Sequence, residues 1–216
     1  MSQLEQVWNV CIQAHPELED LAYCWRGKDA ATTDRKFANF HRQLSRAVKK
    51  NKRDDIETII IQIVHNWGGI NNYTGLADRY PGLLLALDED DPIASQSVTP
   101  LASWTKVLAA YKPERFNIYD SRVAAALRYL IPGTRWFLPP PRENRQTLFD
   151  HMGRRGQLSQ KESYASYMRL LHETDDPLGY ERKLFMFGGL LRWDAKRQKV
   201  VLDFSKSGKH HQSTKR

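Results

Sequence analysis

Cysteine is scarce: Cys11 and Cys24 are the only two in 216 residues. So sparse a pair excludes a disulfide framework and points to a reducing compartment. It also excludes a four-cysteine iron–sulfur cluster. Neither cysteine belongs to a CxxC pair. His15, His41, His65, His151 and His172 stand singly, and the adjacent His210-His211 are not spaced for one ion. The sequence therefore offers no metal site. No apolar run approaches the roughly 18 residues of a membrane span. The start, MSQLEQVWNV, lacks the basic region and apolar core of a secretory signal. The chain reads as cytoplasmic, with no membrane partner. Walker-type glycine loops, Gly-x-Ser-x-Gly elbows, internal repeats and domain linkers are missing too, and no cofactor is expected.

What is present is a folded, basic chain. Hydrophobic residues make up 41% and aromatics 11%, which excludes a disordered protein. Lysine and arginine number 33 against 25 acidic residues, for a net charge of +8. Such a balance favours a polyanionic partner, most often nucleic acid. The length fits one compact helical domain over residues 1–204, or two helical lobes around a cleft. The polar, basic residues 205–216 read as a flexible tail.

Helical periodicity dominates. Residues 4–25 read as two short amphipathic helices split near His15-Pro16. Thr33-Asp34 begins a helix to about Lys50, with Phe37, Phe40, Leu44 and Val48 on its apolar face. It ends in the densest basic run, Lys49, Lys50, Lys52 and Arg53 around Asn51. Those cations suit either a solvated helix end or contact with phosphates. Asp54 or Asp55 opens a helix through Ile59, Ile60, Ile63 and Val64, apolar on most sides and so central. It closes at Trp67-Gly68-Gly69. The two glycines can supply a left-handed cap or let backbone approach a ligand. Tyr80-Pro81 leads into the apolar run Leu83–Leu87, and the acidic Asp88–Asp91 would repel DNA. Further on, Pro139–Pro141 make a stiff connector beside Trp136 and Phe137. A helix follows from about Arg142 to Arg154. Ser159 and Glu162 form a capping box for the next, and Leu178–Leu190 gives another. Residues 190–204 alternate as a β-hairpin.

The chain is organised around Leu101–Ile131. Leu101, Trp104, Leu108 and Tyr111 form one helical stripe, and Lys106 points almost opposite it, among Ala102, Ala109 and Ala110. Lys112-Pro113 breaks the helix. An extended segment through Phe116 and Ile118 reaches Asp120, a natural N-cap for a second helix carrying Val123, Leu127 and Leu130. Tyr119 and Arg122 flank Asp120. They read either as residues that orient it or as a core ring and a surface cation.

The run Ser103-Trp104-Thr105-Lys106-Val107-Leu108, continued by Ile118-Tyr119-Asp120-Ser121-Arg122-Val123, resembles the helix-hairpin-helix DNA glycosylases. It looks closest to small bacterial proteins with the fold of 8-oxoguanine DNA glycosylase. Trp67–Ile70 and Glu181–Phe185 resemble that group more weakly. The Leu-Pro-Gly-Val-Gly-like turn usual in the superfamily is missing. The Lys106–Asp120 interval of 14 residues is shorter than usual, and an alignment holding the Val-Leu and Asp positions fixed puts Ala102 at the lysine position.

The resemblance implies a mainly α, multi-helix glycosylase-like domain with a small C-terminal hairpin. It also implies duplex DNA as partner, with the target base flipped out of the stack. Cleaving an N-glycosidic bond builds positive charge on the sugar. A carboxylate at a helix mouth, Asp120, would stabilise that cation or activate water. A lysine lowered in pKa by burial, Lys106, would instead attack the sugar carbon and form a Schiff base. Trp104, Trp136, Phe137 and Trp193 are candidate walls for the base, or core. Arg122, Tyr119 and the Lys49, Lys50, Lys52, Arg53 run complete the candidate substrate contacts. The alternative is a non-catalytic DNA-binding subunit, partnered with other proteins in a defence or repair complex. A third reading, a generic helical interaction module, leaves Asp120 as a cap alone.

Overall fold

The computed structural model describes residues 1–70, 76–85, 100–139, 145–153 and 157–206. The acidic Asp88–Asp91, Pro140 and Pro141, and the tail from residue 207 lie outside the described residues. The protein is mainly α, with nine α-helices among the described residues and a two-stranded C-terminal hairpin. None of these helices is long and apolar enough to cross a membrane. The chain divides into two compact units, each drawn from separated stretches: Met1–Ala30, Ser121–Ser159 and Arg169–Arg216 form the first, Ala31–Asp120 and Gln160–Met168 the second.

The first unit begins with α1 (Gln3–Ala14), opened by a capping box in which Ser2 and Glu5 satisfy each other's backbone N–H. Pro16 pushes His15 out of helical conformation and ends it. The second helix expected before Trp25 shrinks to one 3-10 turn, Pro16–Leu18. Leu18 alone of that stripe is buried, so a longer helix would have nothing to pack.

The centre of this unit is α6 (Ser121–Leu130) against α9 (Pro177–Leu190). Ala124, Ala125 and Ala126 are fully buried on α6. Gly188 of α9 lies directly against the Arg122 carbonyl, where any Cβ would collide. Small residues on both helices thus allow a close crossing, and the Arg145 guanidinium donates to the Gly188 carbonyl. Trp8 and Tyr129 place their rings 5.8 and 5.5 Å from Phe187. Helix α7 is Gln146–Met152, and the expected ends at Arg142 and Arg154 lie outside the described residues. Strand β1 (Leu191–Asp194) continues directly from α9 and pairs antiparallel with β2 (Lys199–Leu202), Leu191 opposite Leu202.

The second unit holds α2 (Ala30–Lys49), α3 (Arg53–Ile61), a π-helical turn over Gln62–Trp67, α4 (Leu76–Leu85) and α5 (Leu101–Tyr111). It also holds the first part of α8 (Gln160–His172). Helix α2 starts three residues before Thr33. Helix α4 runs through Pro81. Proline there forfeits one backbone hydrogen bond, while Tyr80 and Leu84 on the same helix are buried.

Candidate functional site

Helix α5 is buried on every side: Ser103 through Ala110 are all core. The face opposite the Trp104 stripe is therefore no surface, and Lys106 is only 4% exposed. A helix enclosed this way needs small residues where its neighbours come close, and Ala109 and Ala110 supply them. A buried ammonium must find acceptors. Lys106 folds back one turn and donates from Nζ to the Ala102 carbonyl at 3.0 Å. Its charged partner is Asp120, whose Oδ2 lies 3.9 Å from Nζ. That distance is an ion pair at its outer range, without the geometry of a hydrogen bond.

The stem of Lys106 has its own seat. A Cβ placed on Gly68 would stand 3.0 Å from Lys106 Cδ and 2.6 Å from the Val64 carbonyl oxygen. Gly68 ends the π-helical turn, its N–H reaching the Ile63 carbonyl at 2.8 Å. Gly69, at φ 67°, turns the chain out in left-handed conformation. Gly69 thus supplies the left-handed cap that the sequence suggested, while Gly68 closes on the Lys106 stem.

Asp120 directly precedes α6, where a carboxylate also meets the positive end of the helix dipole. The extended residues before it are fixed by hydroxyls. Thr105 Oγ1 accepts from the Tyr119 N–H at 3.1 Å and lies 3.4 Å from the Tyr119 carbonyl. Tyr164 donates to the Asn117 carbonyl at 2.9 Å, and Tyr167 to the Ile118 carbonyl at 3.0 Å. Both tyrosines stand on one face of α8, three residues apart. Tyr119 is fully buried, its ring 5.3 Å from that of Tyr167. It holds the segment through packing and backbone.

Each of the remaining candidates has its own surroundings. Trp104 is fully buried with its ring 4.8 Å from Tyr80, so it presents no face to a base. The neighbouring Tyr80 hydroxyl is pushed to high pKa by burial. Trp136 is also core, in the first unit, where its carbonyl accepts from Arg128. Both indoles are needed to fill hydrophobic volume. In the same unit the Arg122 guanidinium sits 4.6 Å from the Phe185 ring and 5.2 Å from Trp25, a cation held by aromatic faces. Trp193 stacks on His151 at 3.7 Å.

The basic run forms the corner between α2 and α3. Lys49, Lys50, Lys52 and Arg53 are all exposed. Asn51, at φ 49°, reverses the chain, with its N–H bonded to the Val48 carbonyl and that of Lys52 to Ala47. This is a Schellman cap with asparagine in the glycine position. Lys52 pairs with Asp55 at 3.6 Å, both well exposed. An open groove of about 390 Å³ runs beside the corner, lined by Gln43, Arg46, Lys50, Lys52, Thr58 and Gln62 among others.

Sequence reasoning missed Thr105, Tyr164 and Tyr167. Tyr164 and Tyr167 read as ring positions of a helix and Thr105 as a bystander beside Lys106, and only the fold turns their hydroxyls onto one backbone segment. Among the described residues no cluster of metal-ligating side chains occurs. No family model, curated protein or solved structure matches this chain.

Proposed function

We propose that the protein binds duplex DNA in the cytoplasm and excises a damaged or modified base, 8-oxoguanine being the first candidate. The supporting observation is the Lys106–Asp120 pair: a nearly buried lysine and a carboxylate at a helix mouth, 3.9 Å apart. Asp120 would stabilise the sugar cation as the glycosidic bond breaks, or activate water. Lys106 is the candidate nucleophile for a Schiff-base route. The exposed α2–α3 corner would hold phosphates without reading sequence. The test is release of modified bases from a panel of lesion-bearing duplexes. In a lyase, Lys106→Gln abolishes strand nicking and borohydride trapping of a covalent adduct. In a simple hydrolase it costs modest activity. Wild-type protein that frees no base from any duplex removes the reading.

One observation favours a second reading, a DNA-binding subunit without catalysis that serves a repair or defence complex. Lys106 is enclosed, with its amine already engaged by the Ala102 carbonyl and Asp120, and Trp104 and Trp136 are core. Tight duplex binding with no base release is its signature.

A further inference from the structure

Thr105 and Lys106 are adjacent on α5, yet they touch the same short stretch of chain. Thr105 binds the backbone of Tyr119 at both its N–H and its carbonyl, and Lys106 pairs with the side chain of Asp120, the next residue. The Thr105 side chain is fully buried, so no water competes for these bonds. From another helix, α8, Tyr164 and Tyr167 hold the carbonyls of Asn117 and Ile118. The residues before Asp120 are thus held from two helices by three hydroxyls, none of which belongs to the pair itself. A 3.9 Å ion pair is sensitive to such support, because no direct hydrogen bond fixes its geometry.

We propose that Thr105, with Tyr164 and Tyr167, is a positioning residue that sets the Lys106–Asp120 separation. The clamp deepens the glycosylase reading, and its catalytic consequence rests on that reading; its geometric consequence does not. Thr105→Val removes the hydroxyl while keeping the shape, and Thr105→Ser keeps the hydroxyl. Tyr167→Phe removes one bond from α8 and keeps the ring.

The experiment labels the full-length protein with an acylating reagent and reads Lys106 modification by mass spectrometry. Tyr119 amide exchange is followed in parallel. In wild type Lys106 is held against Asp120 and labels slowly. We expect Thr105→Val to accelerate both Tyr119 exchange and Lys106 labelling by at least about tenfold, as expected for loss of a buried hydrogen bond worth about 1.4 kcal/mol. Thr105→Ser should match wild type. Should Thr105→Val fail to fold, Tyr167→Phe carries the same expectation for Lys106. Unchanged Lys106 labelling in a folded variant whose clamp bond is lost overturns the proposal. Single-turnover base release is measured on the same samples. Thr105→Val should slow it about tenfold, leave duplex affinity unchanged, and be rescued by serine. Base release as fast in Thr105→Val as in wild type, despite altered labelling, also overturns the positioning role. If wild type releases no base, the enzymatic reading fails, and the labelling result still decides the clamp.

Discussion

A lysine that is 4% exposed is costly unless its amine is satisfied. Lys106 has the Ala102 carbonyl and Asp120, and removing the carboxylate leaves a buried cation with one charged partner fewer. Asp120→Asn is therefore expected to lower stability by about 1–3 kcal/mol. That is below the full loss for a deeply buried pair, because Asp120 is 13% exposed and stands off at 3.9 Å. Asparagine also suits the position before a helix. Adding Lys106→Met should return part of the loss, since the orphaned charge goes with it. Urea melts of the two single variants and the double variant measure this coupling. Losses that simply add would mean that the two side chains do not sense one another. Asp120 was legible because an acid before an apolar period is a cap signal. The burial of Lys106 was legible only in part, because a periodic stripe says where the opposite face lies and not what covers it. The alanines at 102, 109 and 110 were the available clue.

At the level of elements, most helices were visible as periods, and the hairpin as alternation. Their ends were less so. The π-helical turn of Gln62–Trp67 has no sequence signature, because its shifted hydrogen bonds accommodate packing of that turn against α5. The second helix expected before Trp25 is reduced to the turn Pro16–Leu18 for want of a partner. Two element-scale tests follow from backbone geometry. Asn51 holds the left-handed cap between α2 and α3, so Asn51→Gly should be neutral or mildly stabilising, whereas Asn51→Val should cost about 1–2 kcal/mol. Gly188→Ala forces α6 and α9 apart at the Arg122 carbonyl and should destabilise by about 1–3 kcal/mol or beyond. Thermal melts read both. A Gly188→Ala protein as stable as wild type would contradict the close crossing.

Across the whole molecule the +8 charge is the property most directly legible from sequence. The structure adds where part of it is displayed: an exposed corner beside an open groove. Changing Lys49, Lys50, Lys52 and Arg53 together to Glu should weaken duplex binding for all sequences alike. It should also reduce the log–log salt slope by roughly 3–4, the counterions released by four phosphate contacts. An unchanged slope would move the DNA site elsewhere. The account rests most heavily on Asp120 as the group that makes base release possible. The direct measurement is single-turnover base release from lesion-bearing duplexes by wild type and Asp120→Asn, with duplex affinity and folding measured on the same samples. The account predicts a loss of at least about a hundredfold in release, with binding retained. Equal release by the two proteins, or none by wild type, would contradict it.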